Sequence, residues 1–354
     1  MRSGSGGRKA SSAVFPVVAL LLLFPILLIQ RVSSQGLALT AMELLDQYEH
    51  GNAAAAQAFV GVVHVESVKD ALRAEGEQWI ATGDPKDLPR RRLVAAAFAL
   101  ETARAGLDHE WANSVELIDW GWSELRKERQ PLPAERLWHL AAIALIQGAY
   151  DELMLEPRLA RLKSRFPGEP RVLLAETWSL EAAAARVNRL NLPFRGKPGG
   201  EGTGSGDVIR GYTKALTQPA IAAEAEVRLS YYALIADQHD SALAHLAHAQ
   251  AATADPDLLY LIHLFRGWTL ARMDREAETT AEYRQAVDAL PAAGTGALWL
   301  AARLAVEGQR TEADAIVERS LTQDATAYDP WQNFGYGDFR YFPALMKELR
   351  EALR

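Results

Sequence analysis

The chain contains no cysteine, which excludes a disulfide framework, a thiolate nucleophile and a cysteine-borne lipid. β-Branched residues are thin and alanine is abundant, a balance that favours helix over sheet. Clustered positive charge is lacking too. Arg90-Arg91-Arg92 is the one basic run, and it reads as the solvated opening of a helix. Residues 1–34 hold Arg2, Arg8, Lys9 and Arg31 and no acid. The rest therefore carries 34 of the 38 basic residues against all 45 acidic ones, a net charge of −11. An acidic body argues against nucleic acid, whose phosphates need gathered lysine and arginine.

The patterns of catalysis are also missing. The glycine-rich GGEGTGSGD is followed by no Gly-Lys-Ser/Thr and preceded by no strand pattern, so it reads as linker and not as a phosphate cradle. No Gly-x-Ser-x-Gly elbow occurs. His245 and His248 share a helical face near His239, but no HExxH or cysteine partner completes a metal site. Glu43, Asp46 and Glu49, like Glu276, Glu278 and Glu282, stand at helical spacing and read as solvated faces. The expectation is a protein with no catalytic residue, no metal and no cofactor.

At the amino terminus a basic lead precedes seventeen apolar residues, Ala13 to Ile29. Val32 and the small pair Ser33-Ser34 suit a cleaved signal peptide, whereas the length of the run and Arg31 suit a membrane anchor at residues 13–29. Both readings put the remainder outside the cytoplasm, because the positive end stays inside.

The strongest pattern is Leu259 to Pro291, where two amphipathic helical stretches meet at Met273-Asp274-Arg275. Counted from Tyr260, Gly267 is position 8, Thr279 position 20, Tyr283 position 24, Ala286 position 27 and Pro291 position 32. The neighbours keep nearly the same phase. A unit from Gly294 has Gly308 at 15 and Ala313 at 20, and one from Ala223 has Ala242, Leu246 and Ala249 at 20, 24 and 27. This spacing resembles the tetratricopeptide repeat, a helix–turn–helix unit of about 34 residues with small residues at the helix crossing. With its DPW…GDFR tail, the chain resembles exported bacterial proteins bearing such repeats.

The resemblance implies an all-α, right-handed superhelix (an α-solenoid) and an interaction scaffold without chemistry. The expected organisation is a signal or anchor at 1–34, degenerate helical repeats at 35–190, a flexible glycine-rich loop at 191–207, well-phased repeats at 208–325 and an aromatic cap with a final helix at 326–354. The cap is expected to cover the last hydrophobic face of the array. The resemblance further implies a partner groove lined by the first helix of each unit, here Val227, Tyr231, Leu264 and Trp268, with Arg272 beside them. Such an apolar-aromatic groove suits a hydrophobic or helical protein segment. Alternatively, these side chains pack against the array itself. A second functional reading is the helical platform of a peptidoglycan- or polysaccharide-associated enzyme or binding protein, with tryptophans such as Trp120 and Trp122 stacking on sugars. The partner expected first is a protein of the cell envelope, and no nucleic acid.

Overall fold

The computed structural model describes residues 39–62, 65–107, 110–149, 152–187, 205–322 and 328–354. The apolar run at 13–29 and residues 191–204 of the expected loop lie outside the described residues, so neither reading of the amino terminus is addressed. The described residues form an all-helical fold without strands, its helices packed in sequential adjacent pairs as in an α-solenoid. None of these helices is long and apolar enough to cross a membrane. They fall into two compact units that divide at Lys127/Glu128, well before the boundary the sequence suggested at 191–207.

The first unit holds α1 (Ala41–Glu49), α2 (Ala55–Val62), α3 (Val65–Ala81), α4 (Leu88–Gly106) and α5 (Trp111–Leu125). Thr40 opens α1 with a capping box: its hydroxyl accepts from the Glu43 amide at 3.2 Å, and the Glu43 carboxylate accepts from the Thr40 amide at 2.8 Å. α2 ends at Val62 and α3 begins at Val65. Every residue of α4 from Leu93 to Leu100 is buried, which its run of alanines permits, since small side chains let neighbours close in from all sides. The basic run at its start is not simply a solvated face. Arg90 and Arg91 both reach Glu49 on α1, Arg92 lies 3.7 Å from Glu124 on α5, and the Arg91 guanidinium stacks 3.8 Å over Trp79.

The second unit runs through α6 (Glu135–Gly148), α7 (Glu152–Arg165), α8 (Pro170–Val187), α9 (Ser205–Ala215), α10 (Ala222–Ile235) and α11 (His239–Ala252). It continues with α12 (Pro256–Arg272), α13 (Glu276–Ala289), α14 (Gly294–Val306) and α15 (Arg310–Thr322). Two short 3₁₀ turns, Phe334–Tyr336 and Phe339–Tyr341, lead into α16 (Phe342–Leu353). From α6 to α15 each helix packs on the next, and α10 also touches α12. We call α6, α8, α10, α12 and α14 the A helices.

The repeat phase has a backbone signature. Asp237, Asp274 and Gly308 each occupy position 15 of their unit, and each has positive φ (56°, 56° and 82°) at the turn between its two helices. Thr279, where alanine is usual, is fully packed, and its hydroxyl donates to the Arg275 carbonyl at 3.0 Å. A hydroxyl can thus replace a methyl at the crossing because the preceding turn satisfies it. Gly267 faces the Tyr283 ring so closely that a Cβ there would overlap Cε1 and Cδ1.

Gly267→Ala should therefore lower stability by about 1–3 kcal/mol, as overpacking does. Gly294→Ala, where nothing lies within 4 Å of the added carbon, should be neutral or slightly stabilising. Thermal melts of the two variants side by side check this; equal behaviour would show that Tyr283 yields freely.

Candidate functional site

The A-helix face of the second unit is where the sequence expected a partner, and the chain's own carboxyl-terminal segment lies on it. The segment runs backwards across the array, from α14 to α6. Asp329 comes first: its carboxylate accepts from the Thr295 amide at 2.8 Å, from the Trp331 amide at 2.9 Å and from the Tyr260 hydroxyl at 3.3 Å. It is buried because its acceptors are fully used at the start of α14, where the helix dipole also favours an anion.

Two aromatic rings follow. Trp331 and Phe334 pack among Tyr231, Phe265 and Trp268, with ring centroids 5.6 Å (Tyr231–Trp331), 5.3 Å (Phe265–Phe334) and 4.9 Å (Trp268–Trp331) apart. Tyr231, Phe265 and Phe334 belong to one buried hydrophobic cluster with Val227 and Leu264, and the partly buried Trp268 and Trp331 pack against it. The Phe265–Phe334 and Trp268–Trp331 contacts are edge-on, a geometry that adds to the burial of the rings themselves.

Beyond the rings the backbone is held by side chains. The Trp178 indole donates to the Gly335 carbonyl at 2.8 Å, and Arg228 donates to the carbonyls of Phe334 and Gly337 at 3.3 and 3.5 Å. The Asp338 amide donates to Gln147 Oε1 at 2.8 Å. Gly337 has φ 59°, and a Cβ there would lie 2.7 Å from the Gln147 amide, so this close approach to α6 requires glycine.

The charged side chains then close the joint. Asp338 pairs with Arg171 of α8 at 3.0 Å, and Arg340 binds Glu224 of α10, which also pairs with Arg228 at 2.9 Å. Arg228 reaches Glu181 at 3.4 Å, and that carboxylate accepts from Tyr212 and Tyr232 at 2.6 and 2.9 Å. The Tyr341 hydroxyl donates to Asp255 at 3.1 Å. Burial alone would push the Glu224 carboxyl up, but the guanidiniums of Arg340, Arg228 and Arg171 together hold it below the ordinary glutamate range. Burial raises the hydroxyls of Tyr212, Tyr232 and Tyr341. These perturbed groups are packed against each other and the tail, the pattern of a structural ion network.

The expected groove residues therefore divide. Val227 and Leu264 are 0% exposed and Tyr231 8%, while Trp268 is half-buried and Arg272 exposed, donating to the Leu234 carbonyl and Asp237, both at 3.0 Å. The alternative of self-packing describes the first three. The aromatic tail is not a lid over the last helix pair, as the sequence suggested; it fills the face of α10 and α12. Trp120 and Trp122, needed at the surface by the sugar-stacking reading, are buried in the first unit, and Trp138 and Trp178 are core.

The other sequence candidates find partners too. Glu226 accepts from His245 at 2.5 Å and lies 3.4 Å from His248, and His239 lies 3.8 Å from Asp237. Among the described residues no group of three or more His, Cys, Asp or Glu side chains gathers to hold a metal. Glu276 and Glu278 pair with Arg303 and Arg275, and Glu282 with His263. A second buried cluster, which the sequence reading missed, sits at α6, where Glu135 accepts from Arg165 and from His139 at 3.2 Å. Only their i, i+4 spacing hinted at the Glu135–His139 pair.

Comparison with protein-family models and with curated proteins finds no match.

Two measurements check this geometry. Tyr231→Ala should cost about 3–5 kcal/mol, as truncating a buried aromatic does, whereas Arg272→Ala should stay within about 1 kcal/mol because its ion pair is exposed; melts that rank them oppositely would contradict the burial. His139 supplies a pH test. Burial lowers its pKa to about 4, against the raising effect of Glu135. The unfolded chain then binds the proton first, near pH 6.5, so stability should fall as pH drops from about 6.5 to 4, by roughly 3 kcal/mol in all. His139→Gln should flatten the melting temperature across that window.

Proposed function

We propose that this chain is a non-enzymatic, tetratricopeptide-like scaffold that binds a protein partner outside the cytoplasm, at the bacterial cell envelope. The observation that carries this reading is the seating of residues 328–341: the A-helix face already holds an irregular, aromatic-bearing segment by ring packing and backbone capture. Both are means by which helical arrays recognise other chains. The repeated positive-φ turns at position 15 support the resemblance on which the scaffold reading rests. The export reading rests on the basic lead and apolar run at the amino terminus.

A partner meets this face where the tail leaves it accessible, at Arg272 and the exposed edge of Trp268. The buried Val227, Tyr231 and Leu264 shape the face from beneath. The platform reading for glycans gains nothing from Trp120 and Trp122, which are buried.

The test is affinity purification from envelope extracts, followed by reconstitution of the leading candidate from two purified proteins. The expected result is a defined complex that Arg272→Glu weakens at least tenfold without lowering the melting temperature. Retention on purified peptidoglycan, with no protein complex reconstituted, would overturn the reading.

A further inference from the structure

Residues 328–341 cross the A-helix face in the manner of a bound ligand. Asp329 sits at the start of α14, Trp331 and Phe334 lie among the rings of α10 and α12, and Asp338 meets Arg171 of α8. Much of the hold is on the backbone, because Trp178 and Arg228 donate to the carbonyls of Phe334, Gly335 and Gly337. Such contacts accept any chain that follows the same path. The sequence requirement falls on the side chains: an acid–x–aromatic–x–x–aromatic run at 329, 331 and 334, then an acid and an arginine two apart at 338 and 340.

The outward side of the segment is bare. Gln332, Gly335 and Tyr336 are exposed, so this is a layer one chain thick with the array beneath it and solvent above. Where it lies, the rings of α10 and α12 are covered; on α14, past Thr295, Leu298, Trp299 and Val306 stay exposed. The helix that follows has a seat of its own, since α16 packs on α6 and buries Phe342, Leu345, Met346 and Leu349.

We infer that residues 328–341 are an autoinhibitory strap: they occupy the partner groove, and the partner that displaces them carries a segment of the same chemistry. This rests on the scaffold reading for the identity of the groove and adds how access to it is regulated. Displacement leaves α16 docked on α6. It also leaves Glu224 without Arg340 and Arg171 without Asp338, so the face passes to a segment that supplies the same two charges. A tethered segment competes at an effective concentration in the millimolar range. A free segment of micromolar affinity is therefore held off about a hundredfold while the strap is seated.

Hydrogen exchange in the full, unsubstituted chain tests the strap directly. The amides of Trp331 and Asp338, both hydrogen-bonded in the seated segment, should exchange at least tenfold faster than those in the middle of α10 and α12. A single rate for both sets would mean that the segment opens only with the array, and would overturn the inference. The second measurement is fluorescence anisotropy of a labelled synthetic peptide with the sequence of residues 328–341. It should bind the full-length Asp329→Asn chain, whose strap has lost its carboxylate at α14, at least tenfold more tightly than the unsubstituted chain. A peptide carrying Trp331→Ala should bind neither. Equal binding to both chains, or indifference to W331A in the peptide, would sink the proposal. A D329N chain without helical structure would do the same, because the segment would then be core. No outside partner enters either measurement, so the strap can fail while partner capture succeeds, and the reverse.

Discussion

Arg228 is the joint on which the second unit depends. Its guanidinium donates to Glu224 on its own helix and to the Phe334 and Gly337 carbonyls of the tail, and it reaches Glu181 on α8. A buried cation is tolerable only when its hydrogen bonds are made and its charge is met, and this one draws its partners from three separate stretches of chain. Glu224 repeats the arrangement from the other side, since it is shared between Arg228 and Arg340. Neither helix nor tail can leave without stranding a charge away from water. The network gives the tail one position along the array, while Trp331 and Phe334 pack their rings into the aromatic cluster of the A helices.

That placement changes what the array can offer. In an array of helix pairs each unit touches its neighbours, and stability builds up locally. Here Gln147 meets Asp338 and Trp178 meets Gly335, pairs far apart in sequence. Closing such loops is entropically demanding, so the tail couples the first A helices of the unit to residues 335–338. The face that a partner would normally explore is largely internal, and the accessible apolar surface is displaced to α14.

The tail motif is legible in the sequence, but the surface it covers is not. Asp329, Trp331, Asp338 and Arg340 belong to the DPW…GDFR pattern, and each is an anchor. Nothing in local periodicity says which surface an irregular segment will cover, so the aromatic tail was expected over the last helix pair. The groove positions share a register but not an exposure, which is not a local property: Tyr231 and Trp268 both meet Trp331, but Tyr231 also meets Phe334 and is the more buried.

What the sequence determined by itself is the set of helices, the phase of their turns and the tight crossings. All of these depend on spacing within one unit: a small residue at Gly267, an aromatic at Tyr283, a positive-φ residue at Asp237, Asp274 and Gly308. Tertiary structure alone decided that the division falls at Lys127/Glu128, that Arg171, Arg228 and Arg340 meet three carboxylates in the interior, and that the tail occupies the A-helix face. The physical reason is range. A helical period is repeated every few residues and can be read in a short window, whereas the burial of a charge or ring depends on a partner more than a hundred residues away.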